Sequence, residues 1–211
     1  MVNGLQGSRS TLAVEALTEA AGHPEFGRYV RDRLRQWMDA GNPPDSRVEL
    51  VIEICGGSWG TQQPALALTR LGKAAGHARF GSPSLTIAFR QLVLLRPDYV
   101  GKAVAQWLKD TESRGDDEKL RRQTLGVFLA LVSSDEGTDL VLADVHASPA
   151  RSRAVQAWQW LLSADAAVHA ATAQLRRWQE RFEGIPNAGK RCWSSSPTSS
   201  PRRAAAPPST G

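Results

Sequence analysis

Tyr29-Val30 followed by Gln36-Trp37-Met38 returns as Tyr99-Val100 followed by Gln106-Trp107-Leu108, every matched position 70 residues on. A weaker third copy carries Val168, Gln174, Leu175 and Trp178. Self-similarity at a fixed long period is the mark of a repeat architecture. A period of 70 is too long for one helical hairpin and suits two hairpins of roughly 35 residues each. Function is then expected on a surface rather than in a catalytic pocket.

Around these copies the chain reads as helix after helix. Ser10 or Thr11 is placed to cap a helix through Leu12, Val14 and Leu17 that ends at Gly22, and Pro24 opens the next. Phe26, Val30, Leu34, Trp37 and Met38 recur at helical spacing until Gly41-Asn42-Pro43-Pro44 breaks the run. Asp45 is expected to cap a helix through Val48, Val51, Ile52 and Cys55, stopped by Gly56-Gly57. Pro64, Pro83 after Ser82, and Pro97 each suit the first turn of a helix. Asp116 or Asp117 starts another, followed by one from about Glu136 and one after Ser148-Pro149. A last helix runs from about Ala164 to Phe182. The expectation is all-α: an α-solenoid, HEAT-like stack of about ten helices in antiparallel hairpins over 9–183. Residues 1–8 are expected to be disordered. So is the tail 184–211, rich in Ser, Pro, Arg and Ala, which has too little apolar surface to offset chain entropy.

The stretch Cys55-Gly56-Gly57-Ser58-Trp59-Gly60, then Pro64-Ala65-Leu66-Ala67-Leu68-Thr69-Arg70-Leu71 and the helices through Trp107, resembles the C-terminal helical-repeat region of large ATP-binding regulators from actinobacteria. In those STAND-type signalling proteins a P-loop NTPase module precedes the repeats. The resemblance implies a sensor or scaffold array. This chain has no Walker motif: Gly56–Gly60 lacks the lysine of GxxxxGK[ST] and follows a helix, so it reads as a turn and no nucleotide-binding residue is carried over.

The formal charge is +5. Of the 26 basic residues, Lys190, Arg191, Arg202 and Arg203 lie in a tail without acids, which leaves 22 against 21 acidic residues in the remainder. A body that neutralised many phosphates would carry a stronger basic bias. Arg28, Arg31, Arg33 and Arg35, Arg121-Arg122, Arg151 and Arg153, and Arg176-Arg177 with Arg181 form local groups that a helical stack could align into a stripe. Nucleic-acid binding through such a face is the alternative to protein binding. No apolar run approaches the roughly 18 residues of a membrane span. With no secretory signal either, no membrane partner and a cytoplasmic location are expected.

No catalytic constellation emerges. No pair among His23, His77, His146 and His169 has metal-binding helical spacing. His23 and His77 each follow Ala-Ala-Gly at a helix end, where a cation suits the helix dipole. The acids at Asp116-Asp117-Glu118 and Asp135-Glu136 fall at helix starts. Cys55 reads as a small core residue and Cys192 as a tail thiol. No enzyme, cofactor or metal is therefore expected. Of seven tryptophans, Trp37, Trp107 and Trp178 lie on apolar stripes. Trp158 and Trp160 are about 200° apart on one helix, so one of them should lie nearer the surface. The contact residues expected are Trp59, in the glycine loop, and Arg151, Arg153 and Trp158.

Overall fold

The computed structural model describes residues 3–113, 117–147 and 153–183. Among them are eleven helices and no strand. They are α1 (Asn3–Gly22), α2 (Gly27–Asp39), α3 (Asp45–Gly56), α4 (Ser58–Gln62), α5 (Pro64–His77), α6 (Pro83–Leu95), α7 (Pro97–Ser113), α8 (Glu118–Val132), α9 (Asp135–Ala147), α10 (Arg153–Ser163) and α11 (Asp165–Glu183). The local punctuation works as chemistry dictates. Ser82 Oγ accepts the Leu85 N–H at 3.4 Å ahead of Pro83. Asp117 Oδ1 accepts the Leu120 N–H at 3.0 Å and starts α8.

Two starts differ from expectation. Helix α1 begins at Asn3, inside the stretch expected to be unstructured, and runs through Ser10 and Thr11. Each further residue adds one backbone hydrogen bond to a nucleated helix, which favours extension. Asp45 is the first residue of α3 rather than its cap, a position occupied by Pro44. Its carboxylate still sits in the first turn, where the dipole favours it.

The glycine stretch is also not a simple turn. Ser58–Gln62 winds a further short helix, and Gly57 has a φ of −81°, an ordinary negative value. The glycines serve close approach instead. A Cβ on Gly56 would meet Ala88 Cβ at 2.7 Å, and one on Gly60 would overlap the Cys55 carbonyl. The one positive φ among the described glycines belongs to Gly81, at 79°.

Packing centres on α8, which touches α5, α6, α7, α9, α10 and α11. Thr124 to Val132 are buried without interruption, as a helix enclosed on all sides requires. Its approach to α5 is close because small residues meet. A Cβ on Gly126 would lie 2.6 Å from the Ala75 carbonyl oxygen, and Gly72 receives the Trp107 indole. Arg122 then clamps the end of α5, its Nε donating to the Gly76 carbonyl at 2.7 Å and its Nη2 to that of Ala78 at 3.3 Å.

Helix contacts recur three elements apart: α2 on α5, α5 on α8, α8 on α11, α3 on α6, α6 on α9, and α7 on α10. The 70-residue spacing does not follow this packing. It pairs α2, whose neighbours are α1, α3 and α5, with α7, which packs on α5, α6, α8, α9 and α10. The repeated tryptophans accordingly differ. Trp37 is half-buried under the Arg47 guanidinium, 5.7 Å from the ring centre. Trp107 meets Phe89 edge-on at 6.3 Å. Trp178 is buried 5.7 Å from Trp158.

Candidate functional site

The two tryptophans expected at the surface are inside. Trp59 is 1% exposed and Trp158 3%. Trp158 stands edge-on to Phe128 at 5.5 Å and against Trp178, so of the pair on α10 it is Trp160, half-buried, that lies nearer the surface. Burial of large aromatic area outweighs the leaving of an unsatisfied indole N–H at both Trp59 and Trp158. Arg153 is the first residue of α10, and Arg151 lies outside the described residues, as does the tail 184–211.

Of the arginine groups that a stack could align into a stripe, Arg31, Arg122, Arg177 and Arg181 bond to the fold itself, while Arg28, Arg33, Arg35 and Arg176 are exposed. Arg31 donates to the Ala21 carbonyl at the end of α1, and Arg96 to that of Thr61 at the end of α4. Arg122 clamps α5, and Arg177 reaches the Ser133 carbonyl after α8. Each supplies donors to carbonyls left without an intrahelical partner. Arg177 and Arg181 share Asp135, Arg181 also holds Asp139, and Arg90 grips Glu136 through Nε and Nη2 at 3.0–3.1 Å. That grip holds the Glu136 carboxyl below its usual range.

His77 ends α5 as expected, but its surroundings disfavour the cation. Burial, with Lys119 and Arg122 nearby, pushes its imidazole below the usual value and favours the neutral form, against a smaller opposing hydrogen bond with the Met38 backbone. His23 accepts the Glu25 and Phe26 N–H groups on Nδ1 at 3.2 and 3.3 Å, organising the turn into α2. Cys55 is buried, and desolvation pushes its thiol up to about 12.

Two surface features stand out. The first is the outer face of α6. Leu85, Ala88, Phe89, Leu92 and Val93 point into the core, while Ile87, Leu94 and Leu95 are 57%, 57% and 62% exposed. Ile87 and Leu94, seven apart, lie on one face two turns from each other, with the ion-paired Arg90 between. Tyr99 on α7, under the Arg96 guanidinium at 5.0 Å, is partly exposed a turn beyond.

The second is a cleft of about 650 Å³ where α1, α3 and α4 meet. Glu15, Thr18 and Glu19 of α1 face Glu53 of α3 across it, and His23, Trp59 and Gln62 complete its wall. Among the described residues no lysine or arginine lines it. Burial, then the Glu49 charge one turn away, raises the Glu53 carboxyl above its usual value. Sequence reading missed this site. Its signal was the pair of carboxylate spacings Glu15/Glu19 and Glu49/Glu53, each i, i+4 with no base on the same face, which is locally unfavourable.

Among the described residues no group of three His, Cys, Asp or Glu side chains could hold a metal ion, and no helix is long and apolar enough to cross a membrane. No protein-family model, curated protein or solved structure matches this chain.

Proposed function

We propose that this chain is a non-enzymatic protein-interaction module, an α-solenoid of HEAT-like character that presents a contact face to a protein partner. The arrangement would serve as the sensor or arm of a larger signalling ATPase of the STAND layout. The solenoid reading rests on helix contacts that recur three elements apart. The observation that carries the binding reading is the second apolar face of α6. Ile87, Leu94 and Leu95 project outward from a helix whose core face is already filled. Contiguous exposed apolar residues with charged neighbours are a common feature of protein contact surfaces. The nucleic-acid alternative has less support, because Arg31, Arg96, Arg122, Arg177 and Arg181 are engaged with carbonyls and carboxylates of the fold.

The test is site-specific photo-crosslinking in extract of the native host, with benzoylphenylalanine at Leu94 and, as control, at Arg33. A nuclease-resistant protein adduct at position 94, abolished by Ile87→Asp, is the expected result. Adducts that vanish with nuclease would move the reading to nucleic acid. Equal labelling at both positions would remove α6 as the contact face.

A further inference from the structure

We infer that the chain's own segment 184–193 covers the outer face of α6, with Trp193 seated on Ile87 and Leu94, when no partner is bound. The inference rests on the reading of that face as a surface that binds polypeptide, and it names the resident occupant.

The first observation is where α11 ends. Arg177 and Arg181 pair with Asp135, and Arg181 also pairs with Asp139, so the end of α11 lies against the first turns of α9. The next residue of α9, Glu136, accepts Arg90 Nε and Nη2 at 3.0–3.1 Å. Arg90 stands between Ile87 and Leu94 on α6. A single peptide link in α9 therefore joins the anchor of the α11 end to the centre of the apolar face. Arg181 is two residues before Glu183, the last residue of α11. The chain that follows starts beside α9, one helix away from Ile87 and Leu94.

The second observation is reach and composition. Trp193 lies ten residues after Glu183. Ten extended residues span at most about 33–36 Å, whereas packed helices are about 8–10 Å apart, so crossing α9 is well within the tether. The segment carries Ile185 and Trp193 and no acid, and Trp193 is the one aromatic residue of 184–211. Tryptophan is among the residue types most enriched as contact anchors.

Tethering favours this occupant over a second copy of the chain. A short flexible tether gives an effective concentration on the order of 1 mM, so an anchor that binds at ~0.1 mM when free closes the face about ten to one. A second copy at micromolar concentration, with the same affinity, would leave the face mostly empty.

The experiment uses the full chain carrying Leu94→Cys, with the native Cys192 beside Trp193 as reporter; Cys55 is buried and does not compete. Oxidation with diamide at micromolar protein, followed by tryptic mass mapping without reduction, measures the rate of the 94–192 disulfide. The rate is expected to be at least five-fold higher than after Trp193→Ser, which keeps the tether and the thiol. Equal rates would overturn the inference. A disulfide joining two chains as the main product would make a second copy the occupant and also overturn it. Equal rates with the extract adduct at position 94 still formed would leave the contact-face reading standing. A rate that depends on Trp193, with no extract adduct, would support the segment's place and remove the partner reading.

Discussion

The Trp107 indole of α7 closes over Gly72 of α5, so that a Cβ on Gly72 would stand 2.9 Å from Cζ2 and 3.2 Å from Cε2. Gly72 is buried, and the indole also meets Phe89, which leaves little room to retreat. Gly72→Ala is expected to cost about 1–3 kcal/mol through overpacking, despite alanine's better helix propensity. In the double variant with Trp107→Phe the two costs should be less than additive, since the smaller ring vacates the contact. Urea unfolding of the four proteins measures the coupling, and strict additivity would mean that the indole does not set the glycine requirement.

Trp158 is a core residue. Enclosed by Phe128 and Trp178, it should cost about 3–5 kcal/mol when replaced by alanine. A loss below about 1 kcal/mol in equilibrium denaturation would contradict the burial described above.

Arg122 joins the start of α8 to the end of α5 through two carbonyls and covers the Phe80 ring at 4.7 Å. Arg122→Ala is expected to destabilise by about 1.5–3 kcal/mol, the range for hydrogen bonds from a charged donor. Lysine should not rescue it, because an ammonium lacks the planar fork that reaches both oxygens. Arg33→Ala, at an exposed site, should stay within about 0.5 kcal/mol. Thermal melts of the three variants compare them directly.

His77 makes stability depend on pH. Its folded-state value lies below the usual 6.5, so the unfolded chain takes up the proton first as pH falls. The stabilisation is complete above about pH 7 and is lost as pH drops through 6.5 toward the lower folded value. Asp39, lowered by its ion pair with Lys73, acts at more acidic pH and does not enter this window. The fall in unfolding free energy between pH 7.5 and 5.5 should be smaller in His77→Gln than in the unaltered protein. Identical falls would dismiss His77 as the source.

Cys55 should be chemically silent in the native state. With its thiol pushed up to about 12 and its side chain buried, almost no thiolate exists at pH 8. In a Cys192→Ser background, Ellman's reagent should react only on the timescale of unfolding, and urea should accelerate it. Immediate reaction in native buffer would show that the α3 end opens readily.

Much of the fold could be read locally because helix signals are local. Pro64, Ser82-Pro83, Pro97 and Asp117 start helices through their own backbone constraints or side-chain oxygens, and apolar spacing marked Leu34 and Met38 on the core face of α2, although Phe26 of the same stripe is exposed. Cys55 as a core thiol follows from the same spacing. The tertiary structure alone decided where Trp59 and Trp158 go, because an indole on a helix is equally compatible with core and surface until the neighbouring helices are in place. It also decided what the arginines do. Arg122, Arg177 and Arg181 stand in local basic groups in a linear text, yet their partners lie 42–46 residues away. The Glu15–Glu19–Glu53 cleft belongs to the same category. Its carboxylates come from two helices, and Glu19 and Glu53 are 34 residues apart in the chain. Only the packing of α1 against α3 and α4 gathers them beside a buried indole.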